Sequence, residues 1–365
     1  MVNLTWNNKD ESREYLEKLK SKDHKFERIE IHSLTNYKKL DQFSKSNNWK
    51  NKLYWGENLR VASYLLPKFK DKIDLIYIDP PFFSGTNYNI QIFEDEEDVE
   101  NIAYHDKWQN DLDSYLNMIY KRIIVFEKLL SLHGLIFIHL DWHANHYIRA
   151  IMDEIFGEKN FVNSIVWYYY NKYSAGKYNL PRAHDDILVY SKSDTHKFNQ
   201  LRIPREKPIK QLKRVMIDGT LKNAKDKNGH VIYRIVKDKK LDDVWRIPCL
   251  QPASKQWTGY PTQKHHKLLE RIIKIGTNKD DLVADFFCGS GTTLFAAEKL
   301  HRRWIGVDNS QYAIYLTRKR ILSYHKKSKV NIVYPFELQT NLSKSKKEIL
   351  ETDFFNKKLT IKRKK

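Results

Sequence analysis

Residues 282–308 leave few folds open. Leu282-Val283-Ala284-Asp285 is an uninterrupted apolar run ending in an acid, which suits a strand buried on both faces of a parallel sheet. Phe286-Phe287-Cys288 lead into Gly289-Ser290-Gly291, and Thr292 opens a helix that continues to Leu300. Glycines let the backbone come close to a ligand at the carboxyl end of a strand, where α/β sheets bind cofactors. The chain has only 12 glycines in 365 residues, so two in one such loop are not a product of composition. Trp304-Ile305-Gly306-Val307-Asp308 is another short apolar strand ending in an acid, placed to accept hydrogen bonds from ribose hydroxyls. The candidate cofactor residues here are Asp285, Phe287, Gly289, Gly291, Thr292 and Asp308. A Gly-x-Gly alone also suits a nicotinamide enzyme, but Leu294 stands where the dinucleotide pattern needs its third glycine. A nucleoside without a pyrophosphate fits better, and S-adenosylmethionine is the candidate.

Residues 75–82 read Leu-Ile-Tyr-Ile-Asp-Pro-Pro-Phe, an apolar strand running into a stiff turn. Successive prolines fix φ near −65° and donate no hydrogen bond, so the carbonyls of the turn stay free to face a ligand. Asp79, Pro80, Pro81 and Phe82 suit the alkylation of an exocyclic amino group on a nucleobase. That nitrogen is a poor nucleophile because its lone pair is delocalised into the ring. Two acceptors against its N–H bonds, the Asp79 carboxylate and the Pro80 carbonyl, draw the lone pair towards an electrophile. Phe82 offers a flat face on which an extruded base stacks. Taken alone, the tetrapeptide is equally an ordinary strand-ending turn.

The Asp79-Pro80-Pro81-Phe82 turn, Tyr260-Pro261-Thr262-Gln263-Lys264 and the segment from Asp285 to Gly291 together resemble the β-class DNA amino-methyltransferases. These include type III modification subunits and type II adenine methyltransferases, and their catalytic half precedes their cofactor half. Residues 54–58, 151–157 and 268–273 are similar too, so the resemblance spans roughly residues 53–325 apart from an insert near 195–245. Phe82 stands for the usual tyrosine and keeps its stacking face; Phe286 stands for a common proline. The resemblance implies a doubly wound, Rossmann-like α/β methyltransferase sheet, mostly parallel with one reversed hairpin. It also implies that Tyr260, Thr262, Gln263 and Lys264 close the methionine end of the cofactor.

Five segments are expected: an N-terminal helical extension (1–52), the catalytic half (53–194), a basic target-recognition insert (195–245), the cofactor half (246–325) and a basic tail (326–365). The insert holds Arg202, Arg205, Lys207, Lys210, Lys213 and Arg214 with little apolar continuity, which suits DNA backbone contact; a solvated surface insertion is the alternative. Lys+Arg 65 against Asp+Glu 45 leaves a formal charge of +20, pointing to a polyanion or to lysine-rich solvated faces. The acidic run at residues 94–98 reads as a solvated loop. Two cysteines without paired spacing suggest neither a disulfide nor a zinc site, and His139, His143 and His146 match no metal motif. No apolar run approaches the ~20 residues of a membrane span, so a cytoplasmic protein is expected.

The expected function is S-adenosylmethionine-dependent methylation of adenine N6 in double-stranded DNA, with the target base flipped out. A homodimer and a separate restriction subunit are partners compatible with the resemblance. Cytosine-N4 methylation by the same fold is the near alternative, and Asp rather than Ser before Pro-Pro leans towards adenine. A nicotinamide oxidoreductase and a non-enzymatic DNA-binding module are the distant ones.

Overall fold

A computed structural model describes residues 4–18, 25–32, 49–85, 87–94, 97–105, 111–172, 178–327 and 334–341. The chain divides into two units, one of residues 1–198 with 244–365 and one of residues 199–243.

The larger unit is built on a ten-stranded sheet. In chain order its strands are β1 (Glu27–His32), β2 (Asn51–Trp55), β3 (Ile73–Ile78), β6 (Leu130–Leu140), β7 (Phe161–Tyr168), β8 (His184–Ser191), β13 (Val244–Arg246), β14 (Leu282–Asp285), β15 (Arg303–Asp308) and β16 (Phe336–Thr340). Between β3 and β6 the chain forms a separate hairpin of β4 (Asn87–Glu94) and β5 (Glu97–His105). The sheet order is β1-β16-β2-β15-β14-β3-β6-β8-β7-β13. All pairings from β16 to β6 are parallel; β8 runs antiparallel to both β6 and β7, which is the reversed hairpin.

Among the described residues, seven helices accompany these strands: α1 (Lys9–Lys18), α2 (Asn58–Phe69), α3 (Leu112–Leu129), α4 (Asn145–Phe156), α5 (His266–Gly276), α6 (Thr292–Lys299) and α7 (Gln311–Lys327). Successive strand residues point to opposite faces, so each central strand feeds two cores. Ile76, Ile78, Ile136, Ile138, Ala284, Ile305 and Val307 share one buried cluster with α2, α3 and α4. Helices α5, α6 and α7 pack in series on the other side, with α5 against β3 and β6 and α6 against β14 and β15. Burial on both faces explains why β3 and β14 read as continuous apolar runs. Among the described residues no helix is long and apolar enough to cross a membrane.

Both ends of the chain correct the expected boundaries. The N-terminal extension is not only helical, because β1 forms an edge of the sheet, antiparallel to β16. Helix α1 is clamped to the core: Lys9 Nζ lies 2.6 Å from Glu154 Oε2, and Trp6 Nε1 donates to Asn117 Oδ1 at 2.9 Å. The expected tail contributes β16, whose alternating Phe336 and Leu338 are buried. Residues 342–365 of that tail, and residues 95–96 of the acidic run, lie outside the described residues.

The smaller unit is all strand. β9 (Arg202–Leu212) pairs antiparallel with β12 (Tyr233–Lys240), and β10 (Arg214–Ile217) with β11 (Thr220–Asn223). Asp218 and Gly219, at φ 51° and 71°, make the two-residue turn between β10 and β11, the φ signs that the twist of a tight hairpin requires. Nearly every side chain of this unit is at least partly exposed, and Ala224 is its buried residue.

Candidate active site

Strands β3 and β14 come from opposite ends of the sequence and lie side by side, with Asp285 opposite Tyr77. The loops that leave the two strands therefore emerge at one carboxyl edge, next to each other. After β3 comes Asp79-Pro80-Pro81-Phe82; after β14 comes the glycine loop. The two line a single cavity of about 310 Å³ together with Tyr260, Thr262, Gln263, Lys264, Asp308 and the entry to α2.

The Asp79 turn is fastened from several sides. Tyr115 Oη on α3 donates to the Pro81 carbonyl at 2.9 Å. Phe83, next in sequence, sits at φ 62°, a rare conformation for an aromatic residue, with its ring 5.3 Å from that of Tyr115. Lys264 Nζ, 185 positions along the chain, hydrogen-bonds Asp79 Oδ2 and lies 5.2 Å above the Phe82 ring. Asp79 Oδ1 is buried and has no hydrogen-bond partner. A carboxylate oxygen in that state is costly to keep unless something in the cavity donates to it.

The cavity also holds an acceptor site built on Asp308. Gly289 N donates to Asp308 Oδ2 and Ser310 N to Asp308 Oδ1, both at 2.8 Å, which orients the carboxylate. Burial pushes the Asp308 carboxyl up to about 6 against the pull of those N–H bonds. Burial likewise raises Asp285 to about 7, opposed by hydrogen bonds from Thr293 and from Phe287 N, the latter at 2.9 Å. Gly289 is at φ 50°, and a Cβ there would stand 3.0 Å from the Tyr260 ring, so the loop closes directly on that residue. Asp308, the hydroxyls of Ser290 and Thr292 and the ring of Phe287 are a set that fits a nucleoside, and Asp79 lines the same cavity.

The model of the N6/N4 DNA methylase family matches residues 73–319, well over half of the chain. The chain belongs to this DNA methylase family. It is 27% identical over 324 residues to the type II methyltransferase M.EcaI of Enterobacter cloacae, covering 74% of this chain and 69% of that protein. It is 26% identical to the Mod subunit of the type III restriction-modification enzyme StyLTI of Salmonella typhimurium, covering 71% of this chain but only 51% of that protein. Among solved structures, the cytosine-N4-specific PvuII DNA methyltransferase has the same fold, with a TM-score of 0.50 at 18% identity over 84% of this chain and 93% of that one.

Within this DNA methylase, the cavity collects every expected site residue except Gly291. Gly291 serves packing instead: it precedes α6 at φ 71°, and a Cβ there would lie 2.5 Å from Thr317 Oγ1 on α7. Gln263 lines the cavity, yet its side chain is spent on its own loop. Its Oε1 accepts from Thr258 N at 2.8 Å, and its Nε2 donates to Gln256 O at 2.8 Å. Lys264, expected at the cofactor, has its ammonium on Asp79. Thr262 holds φ 60°, a strained state for a β-branched residue and one that clusters at functional sites.

Other lining residues went unassigned from sequence. Glu57 caps α2 by accepting from Leu59 N and Arg60 N at 3.0 and 2.9 Å, and it pairs with Arg122 Nη2 at 2.5 Å. Asn58 Nδ2 donates to Phe286 O at 2.9 Å and holds the start of the glycine loop. Beyond the cavity, the carboxyl ends of β6, β7 and β13 share this sheet edge. They and the segment entering β8 carry Trp142, 49% exposed, under the Arg182 guanidinium at 3.8 Å, and Tyr170, 38% exposed, under that of Arg246 at 4.6 Å.

Proposed function

We propose that this DNA methylase transfers a methyl group from S-adenosylmethionine to the N6 amino group of an adenine flipped out of double-stranded DNA. The observation that carries the reading is the unpartnered, buried Oδ1 of Asp79, a residue that lines the same cavity as the Asp308 and glycine-loop acceptor site. Bound at that site, the cofactor supplies a sulfonium methyl that needs no further activation. Asp308 accepts from the ribose hydroxyls, and Phe287 and the Gly289 backbone lie along the nucleoside.

Asp79 Oδ1 and the Pro80 carbonyl accept the two amino N–H bonds, turning the nitrogen lone pair towards the methyl carbon. Lys264 holds Asp79 Oδ2, so the carboxylate is fixed before the base arrives and does not reorganise during reaction. Phe82 stacks on the flipped ring. Catalysis is then mostly alignment and stabilisation of positive charge growing on nitrogen. Flipping costs a few kcal/mol of stacking and pairing, which backbone contacts and stacking in the pocket offset.

The +20 charge supports a polyanionic substrate. So do the exposed aromatic rings capped by arginines along the catalytic edge, since base and aromatic faces stack without regard to sequence. The unit of residues 199–243 is read as the target-recognition element. One face of it gathers Lys213, Arg214, Lys222 and Lys225 around Val215, Ile217 and Leu221. The relatives' membership of type II and type III systems supports a role in restriction-modification, with a separate restriction subunit as partner. Adenine is chosen over cytosine because Asp, not Ser, precedes Pro-Pro. The test is methyl incorporation into duplex DNA followed by nucleoside analysis: N6-methyladenine supports the reading and N4-methylcytosine replaces it with the sister reaction.

A further inference from the structure

Beside Asp79 lies a buried polar chain that the methyl-transfer mechanism leaves unused. His139, near the end of β6, is completely buried. Its Nε2 is 3.2 Å from Asp185 Oδ2 at the start of β8, and its Nδ1 is 2.9 Å from the Tyr77 hydroxyl on β3. Tyr169 Oη donates to Asp185 Oδ1 at 3.1 Å. Trp167 packs edge-on against the imidazole at 5.3 Å between centroids, and Phe82 lies against it at 5.7 Å. His139 Nδ1 is also 3.9 Å from Asp79 Oδ1, the oxygen without a partner.

The tautomer is set by these partners. The Asp185 carboxyl is held below its usual range: burial would raise it, and the His139 hydrogen bond and charge outweigh that. It is an acceptor, so Nε2 carries a proton. Burial and the neighbouring Asp79 push the Tyr77 phenol well up, so it remains a donor. With Nε2–H on Asp185, the Nδ1 lone pair accepts the Tyr77 O–H, and Asp79 Oδ1 lies 3.9 Å from the same nitrogen, while the Asp185 carboxylate behind the ring can stabilise an imidazolium. The groups facing it are Tyr77, Asp79, Asp185 and Tyr169, with Lys264 on the far side of Asp79.

We infer that His139 is the proton acceptor that clears Asp79 during methyl transfer, an inference that rests on the amino-methylation reading. As the N–CH₃ bond forms, the methyl carbon–sulfur bond breaks with its electron pair on sulfur, and the positive charge passes to nitrogen. One N–H bond then breaks with its pair left on nitrogen, and the proton goes to Asp79 Oδ1. From there it passes to His139 Nδ1 as the Tyr77 O–H swings off that lone pair, giving a neutral methylamine, an ionised Asp79 still held by Lys264, and an imidazolium against Asp185. The 3.9 Å gap must close by about 1 Å to reach hydrogen-bond length, a small side-chain movement. Asp185 and Tyr77 are positioning residues for this step.

The experiment is single-turnover methyl transfer to duplex DNA as a function of pH, with S-adenosylmethionine saturating at every pH so that titration of Asp308 does not enter the rate, and with S-adenosylhomocysteine and DNA binding measured alongside. In the wild type the rate should fall on acidification, as His139 gains the proton it must accept. His139→Gln keeps a donor for Asp185 and an acceptor for Tyr77 but takes no proton. It should retain both bindings, lose about 10²-fold in rate and lose that acid limb. Asp185→Asn should move the limb at least about one unit towards lower pH, because the imidazolium loses its counter-charge. A His139→Gln protein with the wild-type rate, or a slower one with the acid limb unchanged, overturns the inference. Where His139→Gln does not fold, an unshifted limb in Asp185→Asn does the same. Failure of the underlying reading is distinct: the wild type itself would then methylate no amino group.

Discussion

Asp308 and Asp285 are carboxyls held in apolar surroundings, pushed up to about 6 and about 7, and each has a consequence of definite sign. Ribose hydroxyls donate, so they favour the ionised form of Asp308. Binding of S-adenosylhomocysteine should strengthen as pH rises through about 6 and level off above it, by calorimetry. Asp308→Ala should weaken binding by about 1–3 kcal/mol and remove that dependence, since buried hydroxyls lose their acceptor. For Asp285 the folded pKa lies above the unfolded one, so its contribution to stability is full below the unfolded value near 4 and is lost as pH rises through about 7. Asp285→Asn should therefore flatten the decline in melting temperature between about pH 4 and 7. Phe82→Ala should cost about 1–3 kcal/mol in capture of the base, while Phe82→Tyr stays active because the stacking face survives. At this scale the sequence was most readable where chemistry and backbone coincide, as in Asp79-Pro80-Pro81 and Asp308. The part played by His139 was hidden because its partners Tyr77 and Asp185 come from other strands. The pairing of Lys264 with Asp79 was hidden for the same reason, since 185 positions separate the two.

The elements around the site were legible where periodicity and burial agree. The apolar runs read as strands at β3 and β14 are buried strands, and the helix read from Thr292 opens there. What escaped was strand hidden among charges. β1 alternates Ile29 and Ile31 with charged residues, and β16 alternates Phe336 and Leu338 with Glu337 and Gln339; both sit in lysine-rich surroundings that read as helix or tail. The β9–β12 hairpin has almost no buried side, so it lacks the apolar alternation that marks a half-buried strand. The glycine loop has no room for a side chain at Gly291. Gly291→Ala places a methyl on Thr317 at a φ that costs an L-residue about 1–2 kcal/mol before the clash is counted. It should lower the melting temperature and weaken cofactor binding together, whereas Thr317→Ser with Gly291 intact should leave both nearly unchanged.

On the scale of the whole molecule, the +20 charge and the recognition role proposed for the second unit bear on the encounter with DNA. Affinity should fall steeply with salt, with a log–log slope of about −0.9 for each phosphate neutralised. Leu241 N donates to Leu201 O at 2.9 Å, so the unit's two ends are neighbours and a short glycine-serine linker can replace residues 202–240. That variant should keep cofactor binding and lose preference for the target site; methylation of the same site would move recognition to another surface. Trp142→Ala should weaken DNA binding by about 1–3 kcal/mol without touching cofactor affinity. The account turns on Asp79, and duplex DNA methylated by wild-type and Asp79→Ala protein, digested to nucleosides, tests it most directly. The wild type should yield N6-methyladenine, and Asp79→Ala should bind S-adenosylhomocysteine normally yet transfer methyl about 10²–10³-fold more slowly. Abundant N6-methyladenine from the Asp79→Ala protein, or N4-methylcytosine from the wild type, would contradict it.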